Sequence, residues 1–411
     1  MAKKTDGAAA ADGAYHEHTF SAFGGHPLTL AVPVGSSVLG LADGVAVGDG
    51  AGSGGLAALG IHDAEQLVAV AAIPDARDGL QEALGVTKAA LDNLVKDARK
   101  LLPAPVAERL EVPLPVMYGL GAVPPPDGPA PAGSGADDPV AAAAAEGVGA
   151  AGSANLISRM SPIRNQGNRG TCVSFTLTAL HEYARRVRGD EVNLSEQHLY
   201  DEIKRIDMAP AACGTWQRVG ATVLGQRGQC REVVWPYNPN LPCNNNGIMP
   251  GNARTDAAAR KLGVGSLVPT NVAAIKAALA TRRPVGFSIP VYSSWFRSAE
   301  VQRSGRITMP VPGDTQEGGH AILGVGYQDD PAYPGGGYFL IRNSWGTGWA
   351  YQSPYRQGYG TLPYAYVSGY NWEAYTLTAP VSLDEPTPAP AEETRRTVTI
   401  TIRGNVNLVI E

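Results

Sequence analysis

Two stretches near the amino terminus share one pattern of apolar and polar positions. The stretch ALGIHDAEQLVAVAA begins at Ala58, and ALGVTKAALDNLVKDA begins at Ala83. Each has a short apolar turn followed by apolar residues three and four positions apart, which is the spacing of one helix face. These residues are Ala64, Leu67, Val68 and Ala71 in the first stretch and Leu91, Leu94, Val95 and Ala98 in the second. The repeat predicts a small domain of helical hairpins over residues 50–103.

A longer helical pattern lies in the middle of the chain. Its apolar positions are Val173, Leu177, Leu180, Ala184 and Val187. The spacing predicts a helix from Thr171 to Arg188, with Gly189 as the expected cap. Cys172 therefore belongs to the first turn of this helix.

Two strand patterns follow near the carboxyl side. The run Ala321–Tyr327 is apolar and comes directly after His320, and Tyr338–Asn343 follows a glycine-rich connection. If the two strands pair antiparallel, the start of the first lies beside the end of the second. His320 and Asn343 then become neighbours. Taken singly, His320 is also explained as a structural histidine and Asn343 as an ordinary turn residue.

Composition separates the remaining segments. Residues 104–154 and 378–394 are rich in Pro, Gly and Ala, which predicts linkers. Residues 155–377 mix helix and strand patterns and form the large globular domain. Residues 395–411 alternate as a β-hairpin does, and residues 1–49 are expected to be partly disordered or to form short strands.

Charge and targeting signals exclude several functions. The 411 residues carry a net charge of −5, too mild to draw the chain to nucleic acid or an anionic membrane. The amino terminus has no apolar core of a signal peptide, and no uninterrupted apolar run is long enough to cross a bilayer. We therefore expect a cytoplasmic protein without membrane contact, although a non-classical export route would leave no trace in the sequence.

The four cysteines leave several states open. Cys172 is a packing residue, half of a disulfide or a nucleophile. A helix amino terminus stabilises a thiolate, which favours the nucleophile, whereas free cysteine is often simply buried. One bridge among Cys213, Cys230 and Cys243 is compatible with the sequence, and so is none. The histidine and cysteine spacing does not match a metal site, and we expect no metal and no cofactor.

Residues 155–377 resemble the papain-like cysteine peptidases. The motifs that carry the resemblance are, in chain order, NQGNRGTCVSF, SEQHLYD, WPY, GHAILGVGY and IRNSWGTGW. The resemblance implies an α+β, two-lobed fold with a helical lobe and a β-barrel-like lobe, preceded here by the small all-α domain. It also implies hydrolysis of peptide bonds in a protein or peptide substrate.

The same resemblance implies roles for single residues. Cys172 is the expected nucleophile, His320 the base and later the acid, and Asn343 the residue that orients the imidazole. The side chain of Gln166 would form the oxyanion hole with the backbone N–H of Cys172. The residues expected to bind substrate are Gly214, Thr215, Gly319 and Trp345, of which Trp345 would also shield the bond between His320 and Asn343.

Three departures from the family pattern stand out. Arg169 occupies the position where many relatives have a disulfide-bonded cysteine. The absence of this disulfide fits a reducing compartment and resembles bacterial relatives that are not secreted. Thr215 replaces a glycine of the substrate wall and puts that subsite in doubt. The long charged inhibitory helix of the family is not visible, so any latency would depend on the helical domain or the linker.

Two further hypotheses concern the chain outside the peptidase-like region. One is an inactive or latent papain-fold interaction protein that docks through residues 50–103 and the carboxyl-terminal hairpin. The other is that residues 50–103 bind nucleic acid, because they also resemble helix-hairpin-helix modules. Positive and negative charges balance between Asp75 and Leu102, so we expect a protein partner there and not nucleic acid.

Overall fold

The computed structural model describes residues 15–21, 27–33, 53–115, 118–126, 152–209 and 212–378. The first two ranges are strands β1 (Tyr15–Ser21) and β2 (Pro27–Pro33), which pair antiparallel. The predicted hairpin at 395–411 and all but the first residue of the predicted linker at 378–394 lie outside the described residues. No helix in the described ranges has the length and apolar character needed to cross a membrane.

Residues 53–110 form a unit of five helices. They are α1 (Ser53–Ala58), α2 (Ala64–Ala71), α3 (Pro74–Leu84), α4 (Lys88–Lys100) and α5 (Ala104–Leu110). The side chains of Asp63 and Thr87 cap the first turns of α2 and α4 by accepting backbone hydrogen bonds. Gly60 and Gly85, at matching places in the repeat, have φ of 71° and 62°, a left-handed turn that favours glycine.

Helix α5 lies inside residues 104–154, which the composition predicted to be a linker. Ala107 and Leu110 of this helix are buried, and Leu110 joins the apolar cluster of the helical unit. The helix has only seven residues, too few for the apolar spacing to stand out from the Pro- and Ala-rich sequence around it. The helical unit therefore extends beyond residue 103.

The helical half of the main domain contains four helices. They are α6 (Cys172–Arg186), α7 (Glu196–Lys204), α8 (Gln217–Gln226) and α9 (Ala253–Ala258). Every residue of α6 from Cys172 to Ala184 is buried, because the helix lies between the sheet and the other helices. The helix is shorter than the predicted range by one residue at its start and two at its end.

The other half is a seven-stranded antiparallel sheet. Its strands are β3 (Ser153–Asn155), β4 (Val264–Leu267), β5 (Val285–Tyr292), β6 (Gln316–Asp329), β7 (Gly337–Arg342), β8 (Tyr359–Pro363) and β9 (Glu373–Leu377). The order is β4-β9-β5-β6-β7-β8, with β3 paired to β6. The strand that carries His320 begins at Gln316, so the histidine lies within it and not at its start.

Short helices connect the strands. They are α10 (Val272–Ala280), α11 (Ser293–Phe296), α12 (Ala299–Ser304) and α13 (Tyr364–Tyr370), and a single 3₁₀ turn covers Ile157–Arg159. The shared core joins Leu177 and Leu180 of α6 to Phe287, Ile289 and Leu323 of the sheet. The arrangement is the α+β one expected from the sequence, with helices on one side of a cleft and the sheet on the other.

The helical unit lies against residues 293–315 of the main domain. Arg306 is 2.6 Å from a carboxylate oxygen of Asp63 and 2.6 Å from one of Glu300, and Arg303 pairs with Glu65. The apolar side chains of Ala299 and Val311 also belong to the core of the helical unit. We call this surface the docking contact.

Candidate active site

Cys172 is the first residue of α6 and is fully buried. Burial raises the pKa of the thiol to about 11, although the backbone N–H groups of Ala321, Gly121 and Val173 favour the thiolate. The helix amino terminus alone predicted a lowered pKa. The direction differs because the site is closed to water, and desolvation outweighs the nearby donors.

His320 and Asn343 are brought together by the antiparallel pairing of β6 and β7. The Nε2–H group of His320 donates to Oδ1 of Asn343 over 2.8 Å, which leaves Nδ1 as the acceptor nitrogen of the ring. Nδ1 is buried and has no hydrogen-bond partner among the described residues. Burial lowers the pKa of His320 to about 4, against the effect of the Asn343 hydrogen bond. The imidazole is therefore neutral in this state.

Gln166 points a fixed amide into the same cleft. Its Oε1 accepts a hydrogen bond of 2.6 Å from the Ser344 hydroxyl, which determines the orientation of the amide. Its Nε2 donates to the carbonyl oxygens of Arg169 at 2.7 Å and Gly119 at 2.8 Å. A buried amide donor thus faces the cleft, with a carbonyl oxygen already bound to it.

The carbonyl of Gly119 belongs to residues 118–126, which occupy the cleft. We call these residues the cover segment. The backbone of Thr215 binds it on both sides, donating to Gly121 at 2.9 Å and accepting from Val123 at 3.2 Å. The carbonyl of Gly319 accepts from Ala122 at 3.0 Å. Thr215 therefore presents its backbone to an extended chain, and its side chain does not block the wall.

Gly214 lies next to this contact but does not hydrogen-bond to the cover segment through its carbonyl, which instead accepts from Lys204. The side chain of Val123 lies 3.1 Å from the point where a Cβ on Gly214 would be. A larger residue at 214 would press on the occupant of the cleft. The structure thus brings Gly214, Thr215 and Gly319 around one cleft, and their role in binding substrate stays a prediction.

Two glycines allow the cover segment to approach the main domain closely. A Cβ on Gly119 would lie 2.3 Å from the carbonyl oxygen of Arg169, and one on Gly121 would lie 2.0 Å from that of Gly170. Real Cβ atoms do not come this close to a backbone oxygen. The glycines are therefore required by backbone contact.

Trp345 forms the centre of an aromatic stack over the site. Its ring lies 4.5 Å from that of His320 and 4.6 Å from that of Tyr118, with an angle of only 3° to Tyr118. Trp345, which the sequence predicted to shield the His320–Asn343 hydrogen bond, thus lies against the imidazole ring. Tyr118 belongs to the cover segment, so the segment closes this end of the cleft as well.

The remaining cysteines resolve the choice left open by the sequence. Cys213 and Cys243 form a disulfide, while Cys172 and Cys230 are free. The disulfide is adjacent to Gly214 in the chain and supports the loop that carries the cleft wall.

Sequence reasoning missed the cover segment because residues 104–154 have the composition of a linker. One local signal was available. Tyr118 is followed by glycines at 119 and 121, and alternate glycines in an extended chain allow a close backbone approach on one face.

The chain is similar to known cysteine proteases. Residues 153–362 match the family described as papain family cysteine protease. An uncharacterized peptidase C1-like protein of Acanthamoeba polyphaga mimivirus is 24% identical over 233 residues, covering 53% of this chain and 70% of that protein. Papain of Carica papaya is 28% identical over 193 residues, covering 46% of this chain and 49% of papain. The match thus spans about half the length of the papaya protein.

Among solved structures, xylellain, a cysteine protease from Xylella fastidiosa, is similar over almost its whole length. The comparison has a TM-score of 0.51 and 26% sequence identity, and it covers 63% of this chain and 96% of xylellain. The two-lobed α+β fold expected from the sequence is confirmed by this likeness.

Proposed function

Since the chain belongs to the papain family of cysteine proteases, we propose that it hydrolyses peptide bonds with Cys172, His320 and Asn343 as its catalytic triad. The observation that carries the proposal is the free Nδ1 of His320, on a ring oriented by Asn343 and directly before Ala321, whose N–H donates to the Cys172 sulfur. A neutral imidazole oriented in this way is the base that a thiol nucleophile needs.

In the proposed reaction, Nδ1 of His320 takes the proton of the Cys172 thiol while the sulfur attacks the scissile carbonyl carbon. The carbonyl oxygen becomes an oxyanion bound by the Gln166 amide and the Cys172 N–H. The carbon–nitrogen bond then breaks, and the imidazolium gives its proton to the leaving amine. A thioester remains, and water activated by His320 hydrolyses it to a carboxylic acid and the free thiol.

We also propose that the chain as described is latent. The cover segment fills the cleft, and its Gly121 N–H donates to the sulfur, so the thiol faces a donor and not a carbonyl carbon. The segment pairs with Thr215 in a parallel sense. It therefore occupies the substrate surface without offering a bond for attack.

The test uses the full-length chain with Gly121 replaced by leucine, since a side chain at this position cannot enter the cleft. After incubation with an epoxide inhibitor of thiol peptidases, intact-protein mass spectrometry should find one adduct per chain in Gly121→Leu. Adding Cys172→Ala should abolish the adduct. Wild type should react far more slowly.

Gly251→Leu is the matched control, because a Cβ at that exposed position meets no atom within 4 Å. It should behave as wild type. Absence of an adduct and of peptide hydrolysis in Gly121→Leu would reject the proposal and favour the alternative of an inactive interaction protein.

A further inference from the structure

The loop from Gln166 to Thr171 links the two groups of the oxyanion hole, because Gln166 supplies the amide and Thr171 directly precedes Cys172. We infer that Arg169 and Tyr237 are positioning residues that hold this loop so that both donors aim at one oxygen atom. The inference rests on the proposed function and assigns a role to an arginine that stands where many relatives have a cysteine.

Arg169 is almost completely buried, with 3% of its surface exposed. Its guanidinium group donates to Oε1 of Gln197 at 2.9 Å, to the carbonyl of Asn238 at 3.1 Å and to Oδ1 of Asn246 at 3.0 Å. These acceptors come from α7 and from the loop around residues 238–246, and none of them is charged. The forked, planar group reaches these acceptors from two separate nitrogen atoms, whereas a lysine offers a single nitrogen atom.

The guanidinium also lies against two tyrosine rings, 5.2 Å from the centroid of Tyr200 and 5.5 Å from that of Tyr237. Such contacts are favourable for a cation and weakly directional. They connect Arg169 to the residue that fixes both ends of its own loop.

That residue is Tyr237, the last position of the WPY motif. Its hydroxyl donates to the carbonyl of Gln166 over 2.8 Å and lies 2.8 Å from the hydroxyl of Thr171, which donates to it in turn. One oxygen atom therefore joins the residue that carries the side-chain donor to the residue before the backbone donor.

The backbone of Arg169 completes the link. Its carbonyl accepts from Nε2 of Gln166 at 2.7 Å and from the N–H of Thr171 at 2.8 Å. Movement of Arg169 would thus turn the Gln166 amide directly. Displacement of such a donor by about 1 Å is enough to cost on the order of 10² in rate.

The test compares Tyr237→Phe and Arg169→Met in the full-length Gly121→Leu chain, with a fluorogenic peptide that this chain cleaves. Tyr237→Phe removes a single hydroxyl, and we expect kcat to fall about 10-fold with KM within twofold. Arg169→Met should lower kcat by about 10². Arg169→Lys should recover little of the loss, and full recovery would contradict the role of the forked group.

Two control variants separate positioning from general stability. Tyr183→Phe removes the hydroxyl of a fully buried tyrosine, which donates to the carbonyl of Arg282. Arg283→Met removes a guanidinium as buried as that of Arg169, which binds the carbonyl of Leu377. Both should lower the melting temperature as much as their counterparts and leave kcat unchanged. Equal loss of kcat in the controls would overturn the inference.

Two reagents measure the oxyanion hole and the thiol separately, without catalytic turnover. A peptide aldehyde forms an adduct whose oxygen enters the hole, whereas iodoacetamide reports only the thiol. In Tyr237→Phe the aldehyde should bind about 10-fold more weakly while the iodoacetamide rate stays constant. A parallel loss of both would place the defect in Cys172 and overturn the inference. If the Gly121→Leu chain cleaves no peptide, the proposed function fails, yet these two reagents still decide the role of Tyr237.

Discussion

The cover segment and the docking contact hold the amino-terminal part of the chain to the main domain by different means. The cover segment binds through neutral backbone hydrogen bonds at Thr215 and Gly319, over glycines that allow close approach. The docking contact uses ion pairs of Arg303 and Arg306 together with apolar packing. Backbone bonds depend on shape, whereas ion pairs respond to salt and charge.

We propose separate roles for the two surfaces. Burial raises the pKa of Cys172 and lowers that of His320, and under the proposed latency the cover segment is the part of the chain that closes the site to water. The docking contact would keep the segment near the cleft and raise its effective concentration there. Variants of the cover segment should therefore change the reactivity of the thiol directly, whereas variants of the docking contact should change how often the cleft opens.

The largest effect is expected from Gly121→Leu on the pH dependence of Cys172 alkylation by iodoacetamide. In wild type the thiol pKa is raised to about 11, so the thiolate appears only as the pH rises through that value. Without the cover segment the pKa should return toward about 8.5 or below, and the rate at pH 8 should rise on the order of 10². A pH profile unchanged from wild type would show that the segment does not control the thiol.

The next effect is expected from Arg306→Met, which removes the ion-pair partner of Asp63 across the docking contact, while Glu300 keeps its pair with Arg303. The Arg306 side chain is 24% exposed, so the loss should lie between that of a surface and a buried pair, about 1–3 kcal/mol. Hydrogen exchange at the amides of Ala122 and Val123 should accelerate accordingly, roughly 5- to 150-fold.

Arg99→Met serves as the control for that experiment, since Arg99 pairs with Glu111 on an exposed part of the same helical unit. Its effect on the same amides should be small. If both variants accelerate exchange equally, the ion pairs of the docking contact do not specifically stabilise the cover segment.

A smaller effect is expected from Tyr118→Ala, which removes the outer ring of the stack on Trp345. A stacked aromatic pair is worth about 0.5–1.5 kcal/mol beyond its buried area. The wild-type epoxide reaction should therefore become about 2- to 10-fold faster. The exposed Tyr351→Ala should leave the rate as it is, and a matching acceleration there would argue against the stack.

The smallest effect is expected from salt. Raising the ionic strength from about 0.05 to about 0.5 M should accelerate the epoxide reaction of wild type by a few fold, because it screens the ion pairs of the docking contact. The same change should have a smaller effect on Arg306→Met, which keeps only the Arg303–Glu65 ion pair across the docking contact. Equal salt dependence in both proteins would place the sensitive charges elsewhere.

The positions of Cys172, His320 and Asn343 could be predicted from the sequence, whereas the cover segment could not. Cys172 was placed by the helical spacing after it, and the meeting of His320 with Asn343 followed from two strand patterns with a glycine-rich connection. Such patterns repeat over a few residues, so they can be read locally. The cover segment has no such pattern, because its bonds to Thr215 and Gly319 use backbone groups that every residue type possesses.

By itself, the sequence determined the order of the motifs, the helix with Cys172 in its first turn, the helical repeats and the papain-like arrangement of the main domain. Only the tertiary structure decided that Gly119 binds Gln166 across 47 positions, that Cys213 pairs with Cys243, and that Arg169 binds the loops beside the oxyanion hole. It also decided that burial raises the pKa of Cys172. The physical reason is range: helix and strand periods express forces between near neighbours, whereas water exclusion and close backbone contact depend on which distant surfaces the folded chain brings together.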